Sequence, residues 1–138
     1  MKIPKNLTHK PIIVVEDYDK IDGYFANDTD AKGLSLGQST WDYNDISVKV
    51  WRHPDKRWSR QSEELPIHRV LDLSILALSS SLLIDSKKEK SISNLGEVIE
   101  EKEKFDLVKE YFIEHKDDLV QKVEELARVA NIFLEKYK

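Results

Sequence analysis

Cysteine is missing from this chain altogether, which rules out disulfides and thiolate metal centres. Long apolar runs are missing as well. The longest, residues 73–84, is interrupted by Ser74, Ser79, Ser80 and Ser81, whereas a bilayer-spanning helix needs roughly 18 to 20 apolar residues in a row. No membrane partner is expected. The opening segment, M-K-I-P-K-N-L-T-H-K, lacks the apolar core of a secretory signal, so a cytoplasmic location is expected. Net positive charge is absent too. The formal charge is −4, which argues against duplex nucleic acid as a partner.

Signature motifs are equally scarce. Lys32-Gly33-Leu34-Ser35-Leu36-Gly37 has two glycines, but not the G-x-x-x-x-G-K-[ST] order that cradles a phosphate, and no helical pattern follows it. The acidic stretch at residues 16–33 contains Asp17, Asp19, Asp22, Asp28 and Asp30. The twelfth position from Asp17 is Asp28, where a calcium loop needs glutamate. No metal site is assigned, and the stretch is expected to form turns and pair with basic residues. No nucleophile, metal triad or phosphate loop accompanies any acid–base pair. No catalytic residue and no cofactor is therefore assigned.

What is present is a globular composition. Hydrophobic residues make up 40% and charged residues 35% of 138 positions, which suits one folded domain rather than a disordered chain. The expected fold class is α+β: a small antiparallel sheet in the N-terminal half, packed on a central helix and followed by one or two long C-terminal helices. The sheet region is placed at 1–62, the central helix at 63–84 and the helical region at 95–138. Residues 10–15 read as a short buried strand with Pro11 at its start, and residues 33–37 as a second. Residues 46–52 are the clearest strand, because Ile46, Val48 and Val50 alternate with Ser47, Lys49 and Trp51. If the Ile/Val row faces the core, Lys49 and Trp51 share the outer face. A helix, a second subunit or a ligand must then cover them.

After a turn at 53–56, residues 57–60 read as a return strand. Ser62 is a candidate N-cap, with Glu63 and Glu64 in the first turn. Pro66 also permits a start at Leu65. Ile67, Val70, Leu71, Ile75, Leu78 and Leu82 form one stripe, widened by Leu73, Leu76 and Ala77, so this helix is expected to be mostly buried. Beyond a polar linker at 85–94, Val98, Phe105, Phe112, Leu119, Leu126 and Phe133 recur every seven residues, a heptad-like seam. A capping-box pattern at 118–121 predicts a break near Lys116. The seam is either packing within the chain or a dimer interface, and self-association is the favoured expectation.

The most informative concentration lies between Trp41 and Arg69, which holds all three tryptophans and four of the five arginines. From Lys49 to Arg69 there are six Lys/Arg against three acids, on a chain that is acidic overall. Arginine offers a rigid fork of donors for phosphate, and tryptophan a flat face for a base. The candidate ligand-binding set is Trp51, Arg52, Arg57, Trp58, Arg60, Gln61, His68 and Arg69. Arg52, Arg57 and Arg60 would contact phosphate, Trp51 and Trp58 would stack, and Gln61 and Ser59 would read polar edges. The alternative is that the tryptophans fill the core and the arginines pair with Glu63, Glu64 and Asp72. His68 and Asp72, at i and i+4, are either an acid–base pair or a structural hydrogen bond.

Two stretches, H-K-P-I-I-V-V-E-D-Y-D-K-I-D-G-Y-F-A-N-D-T-D-A-K-G-L-S-L-G and V-K-V-W-R-H-P-D-K-R-W-S-R-Q-S-E-E-L-P-I-H-R-V-L-D-L, resemble a family of short bacterial and phage-carried proteins of unassigned function. The architecture is also similar to that of phage-encoded sponges that sequester nucleotide immune signals. The expected function is therefore non-enzymatic binding of a small nucleotide-like anion by a self-associating protein. A protein-interaction module working through acidic helices is the alternative, and a phosphoesterase using His68 with Asp72 the third reading.

Overall fold

A computed structural model describes residues 1–60, 62–84 and 91–138. Its contacts divide the chain into two compact units, Met1–Ser74 and Ile75–Lys138. The first holds a four-stranded antiparallel meander: β1 (Lys10–Glu16), β2 (Ala31–Gln38), β3 (Ile46–Arg52) and β4 (Glu64–Pro66), in that spatial order. The α+β class is as expected, with helix α1 (Ile67–Ser80) after the sheet and further helices at the C-terminal end.

Strands form at the three places the sequence marks, but β1 is not the buried strand expected: Ile12, Ile13, Val14 and Val15 are all exposed. β1 and β2 run close together at Gly37, where an added Cβ would lie 2.0 Å from the Lys10 carbonyl oxygen. Only glycine tolerates that approach, and the register shifts between Pro11 and Ile13 at the same place. Residues 57–60 are not a strand. The partner of β3 is β4, with Lys49 opposite Glu64 and Val48 opposite Leu65. Glu63 and Glu64 therefore belong to the sheet edge and not to a first helical turn. A residue before proline is driven toward extended backbone, which keeps Leu65 in the strand and delays the helix until after Pro66. Ser62 instead donates its hydroxyl to the Ser59 carbonyl.

The two faces of the sheet reverse the expected order. Ser47, Lys49 and Trp51 on β3, and Ala31, Ser35 and Ser39 on or beside β2, are the buried side chains. They are covered by the segment before β1, where Ile3 and His9 are buried, and by the edge of Trp58 on Trp51, ring centroids 5.8 Å apart. Leu34, Leu36, Val48 and Val50 are only half-buried. With Ile13, Val15, Leu65 and Val70 they line an apolar trough of about 450 Å³ on the opposite side. The cover required for Lys49 and Trp51 is the chain's own N-terminal segment, an irregular stretch with no periodic signal.

Helix α1 is less buried than its stripe predicts: Leu71, Leu73, Ile75 and Leu76 are all exposed. In the second unit, α2 (Phe105–Glu114) and α3 (Lys116–Tyr137) meet at His115, whose φ of −101° and ψ of 17° leave the helical region. The break falls beside the expected Lys116. Hydrogen bonds from His115 N–H to Tyr111 and from Leu119 N–H to His115 carry the chain across it, while Asp117 and Asp118 sit in the first turn of α3, where the helix dipole favours acids.

Candidate functional site

The site is built around a buried polar cluster. His9 is 1% exposed. Its Nδ1 lies 2.9 Å from the Ser47 hydroxyl and 3.3 Å from a Glu64 carboxylate oxygen, and its Nε2 lies 2.8 Å from the Ser35 hydroxyl. Ser47 donates to Glu64 at 2.8 Å, so its oxygen is left to accept from His9 Nδ1–H. Ser35 accepts the indole N–H of Trp51 at 2.7 Å, which leaves its own proton for His9 Nε2. Glu64 also accepts the Thr40 N–H and hydroxyl. Every member is satisfied with His9 neutral and protonated on Nδ1. Burial accordingly pushes the His9 pKa down, against the opposing pull of Glu64. Burial alone would raise the Glu64 pKa, but the hydrogen bonds from Thr40 and Ser47 outweigh it and hold the carboxyl below its ordinary range.

Ser35, His9 and Glu64 stand in the order of a nucleophile, a base and an orienting acid. The chemistry available to them is nonetheless structural. Ser35 is buried with its oxygen already engaged by Trp51, and the cavity that reaches His9 does not have Ser35 in its wall. The cluster ties β2, β3, β4 and the N-terminal segment together.

The predicted residues separate into three groups. Trp51, 0% exposed, has no free face. The Arg52 guanidinium is 2.6 Å from Asp30 and 2.9 Å from Glu63, whose hydrogen bonds push its pKa up. It therefore acts as a strut between the acidic stretch and the start of β4. Arg57, Trp58 and Arg60 form the second group. They come together on one groove of about 750 Å³ with Pro4, Asn6 and Asp55. Neither Arg57 nor Arg60 makes a hydrogen bond or ion pair among the described residues. The third group, His68 and Arg69, is exposed at the start of α1 and walls neither this groove nor the apolar trough. Gln61 lies outside the described residues.

The groove adjoins a second pocket of about 330 Å³ through the shared walls Asn6, Leu7, Ser59 and Arg60. That pocket adds His9, Lys10, Tyr43 and Lys49. Lys49 is 9% exposed, and its ammonium stands 4.9 Å over the Trp51 ring. It has no hydrogen bond or ion pair among the described residues. Burial pushes its pKa down, and Glu64 and Glu63 oppose that shift. A buried cation without a hydrogen-bonded counter-ion is costly unless something anionic reaches it. Lys49 carried a signal in the sequence, a lysine beside a tryptophan on one strand face. Asn6, His9 and Tyr43 carried none, because only the tertiary course of the N-terminal segment and the 39–45 loop brings them here.

Fold and site together describe an α+β protein whose sheet supports a cationic, aromatic-edged groove. The chain belongs to a family of unknown function, DUF6530, whose model matches residues 1–100. That span includes the whole sheet, α1 and the groove and stops before α2. No curated protein and no solved structure matches the chain. No helix among the described residues is long and apolar enough to cross a membrane.

Proposed function

We propose that this protein binds a small, planar, nucleotide-like anion in the groove formed by Arg57, Trp58 and Arg60, with Lys49 in the adjoining pocket. The observation that supports the reading is one of pairing. Arg52 is committed to Asp30 and Glu63, whereas Arg57, Arg60 and Lys49 make no hydrogen bond or ion pair among the described residues and wall two adjoining cavities. Arg57 and Arg60 offer forked donors to phosphate oxygens. Trp58, held edge-on by His53 at 5.1 Å and Trp51 at 5.8 Å, offers an apolar surface to a base. Asp55 on the same wall suits a ribose hydroxyl or a base N–H.

The mode of action proposed is sequestration, which needs tight binding and no chemistry. It is the mode of phage-encoded sponges of nucleotide immune signals, and it fits a cytoplasmic protein of bacterial or phage origin. The test is mass spectrometry of small molecules released on heating the purified protein, with nucleotides and cyclic nucleotides titrated against tryptophan fluorescence. A released nucleotide or saturable quenching is expected. Arg60→Ala and Arg57→Ala should each weaken binding at least about tenfold, the scale of losing a charge-assisted contact, with an unchanged far-ultraviolet circular dichroism spectrum. An empty protein with flat titrations would remove this reading. A second reading, an interaction module working through the C-terminal helices, is favoured by the exposed apolar residues of α3.

A further inference from the structure

Helix α3 carries more apolar surface than its own unit covers. Leu126 is 43%, Phe133 58% and Tyr137 66% exposed, and Val120, Val129 and Leu134 are exposed beside them. With Leu119 and Val123 these residues occupy one broad stripe along a helix of 22 residues, about 33 Å long at 1.5 Å per residue. Leu119, Leu126 and Phe133 repeat every seven residues, and so do Val123, Ala130 and Tyr137, offset from the first set by four. That is the a/d spacing of a helix that packs along its length against another helix.

The charges beside the stripe select the partner and its direction. Residues 116–126 carry four acids and two lysines, and residues 127–138 carry one acid and three bases. Asp118 and Lys136 stand about five turns apart at 3.6 residues per turn, so they lie on the same flank of the stripe at opposite ends. In an antiparallel pair like flanks face each other, which sets Lys136 of one copy near Asp118 of the other at both ends. A parallel pair would set the acidic starts together and the basic ends together. Antiparallel packing also opposes the two helix dipoles.

We infer that α3 pairs antiparallel with α3 of a second copy of this chain. The seam that fits the pattern stacks Leu119 on Tyr137 of the second copy, Val123 on Phe133, and Leu126 on Ala130, so that each larger side chain near the centre meets a smaller one. This surface lies beyond residues 1–100 matched by the family model, and it does not depend on what the groove binds.

The full chain is suited to a direct test, because it has no cysteine of its own. Sedimentation equilibrium should give a dimer, and Phe133→Asp should raise its dissociation constant at least about a hundredfold, the loss expected for a buried aromatic anchor. Leu119→Cys and Tyr137→Cys chains, mixed and oxidised, should give a disulfide-linked heterodimer. Each variant alone should not cross-link, since like positions lie about 27 Å apart along the antiparallel axis. Cross-linking of either variant with itself would overturn the antiparallel assignment. A monomer at every concentration would overturn the pairing altogether, as would an unchanged dissociation constant in Phe133→Asp.

Discussion

Trp51 and Arg52 at the end of β3 differ from Trp58 and Arg60, a few residues further on, not in residue type but in pairing. Trp51 is sealed between the sheet and the N-terminal segment with its N–H on Ser35, and Arg52 joins Asp30 to Glu63. Trp58 is half-buried at a groove, and Arg60 has no partner among the described residues. An arginine–tryptophan cluster is therefore not one functional unit. The half inside the regular strand is used by the fold, and the half in the irregular loop is left for something else.

The contrast predicts a graded series of effects. The largest belongs to Trp51. Trp51→Ala should cost about 3–5 kcal/mol, combining a core cavity with the loss of the indole hydrogen bond to Ser35. Denaturant unfolding measures this directly, and a loss below about 1 kcal/mol would mean that the polar-face core is not where stability resides.

The next effect depends on pH. The folded-state pKa of His9 is depressed by burial, so the unfolded chain takes up a proton as pH falls below the ordinary histidine value of about 6.5 while the folded chain resists it. Stability is complete above that value and declines below it until the depressed folded pKa is passed. The slope is at most about 1.4 kcal/mol per pH unit for this one group. Carboxylates held low by hydrogen bonds, Glu64 and Glu63 among them, contribute only at lower pH. Unfolding curves at pH 7.5 and 5.5 should therefore diverge in the wild type and approach each other in His9→Gln. Equal pH dependence in the two proteins would assign the slope elsewhere.

The smallest effects separate the arginines. Arg52→Gln should cost about 1 kcal/mol, because its two ion pairs are part-exposed and screened. Arg57→Gln and Arg60→Gln should leave stability within about 0.5 kcal/mol, as for surface residues that make no ion pair among the described residues. If all three behaved alike under thermal denaturation, the division of the cluster into strut and groove would fail.

Much of this was legible in advance, and the gaps have identifiable causes. The alternation in β3, the α+β class and the helix break beside Lys116 all follow from local patterns of two, three or four residues. Helix α1 starts at Ile67 rather than at residue 63 or Leu65, because the extended preference of the residue before Pro66 prevails over the N-cap chemistry of Ser62, Glu63 and Glu64. The return strand at 57–60 failed because β4 supplies the pairing that β3 needs. The face of the sheet that forms the core was also inverted. Hydrophobicity alone puts Ile46, Val48 and Val50 inside, but a hydrogen-bonded cluster closed by His9 buries Ser47, Lys49 and Trp51 instead.

By itself, then, the sequence determined the elements whose signals are periodic and local: the alternating strand β3, the helices from Phe105 onward but not the helical start expected at 95 with Val98 on its seam, and the segment in which arginine and tryptophan are concentrated. Only the tertiary structure decided which of those cations are neutralised and which are not. Ion pairing depends on residues such as Asp30 and Glu63, brought to Arg52 from the acidic stretch and the edge of β4. The groove walls depend likewise on an N-terminal segment whose path over the sheet follows from long-range packing and buried hydrogen bonds rather than from any pattern along the chain.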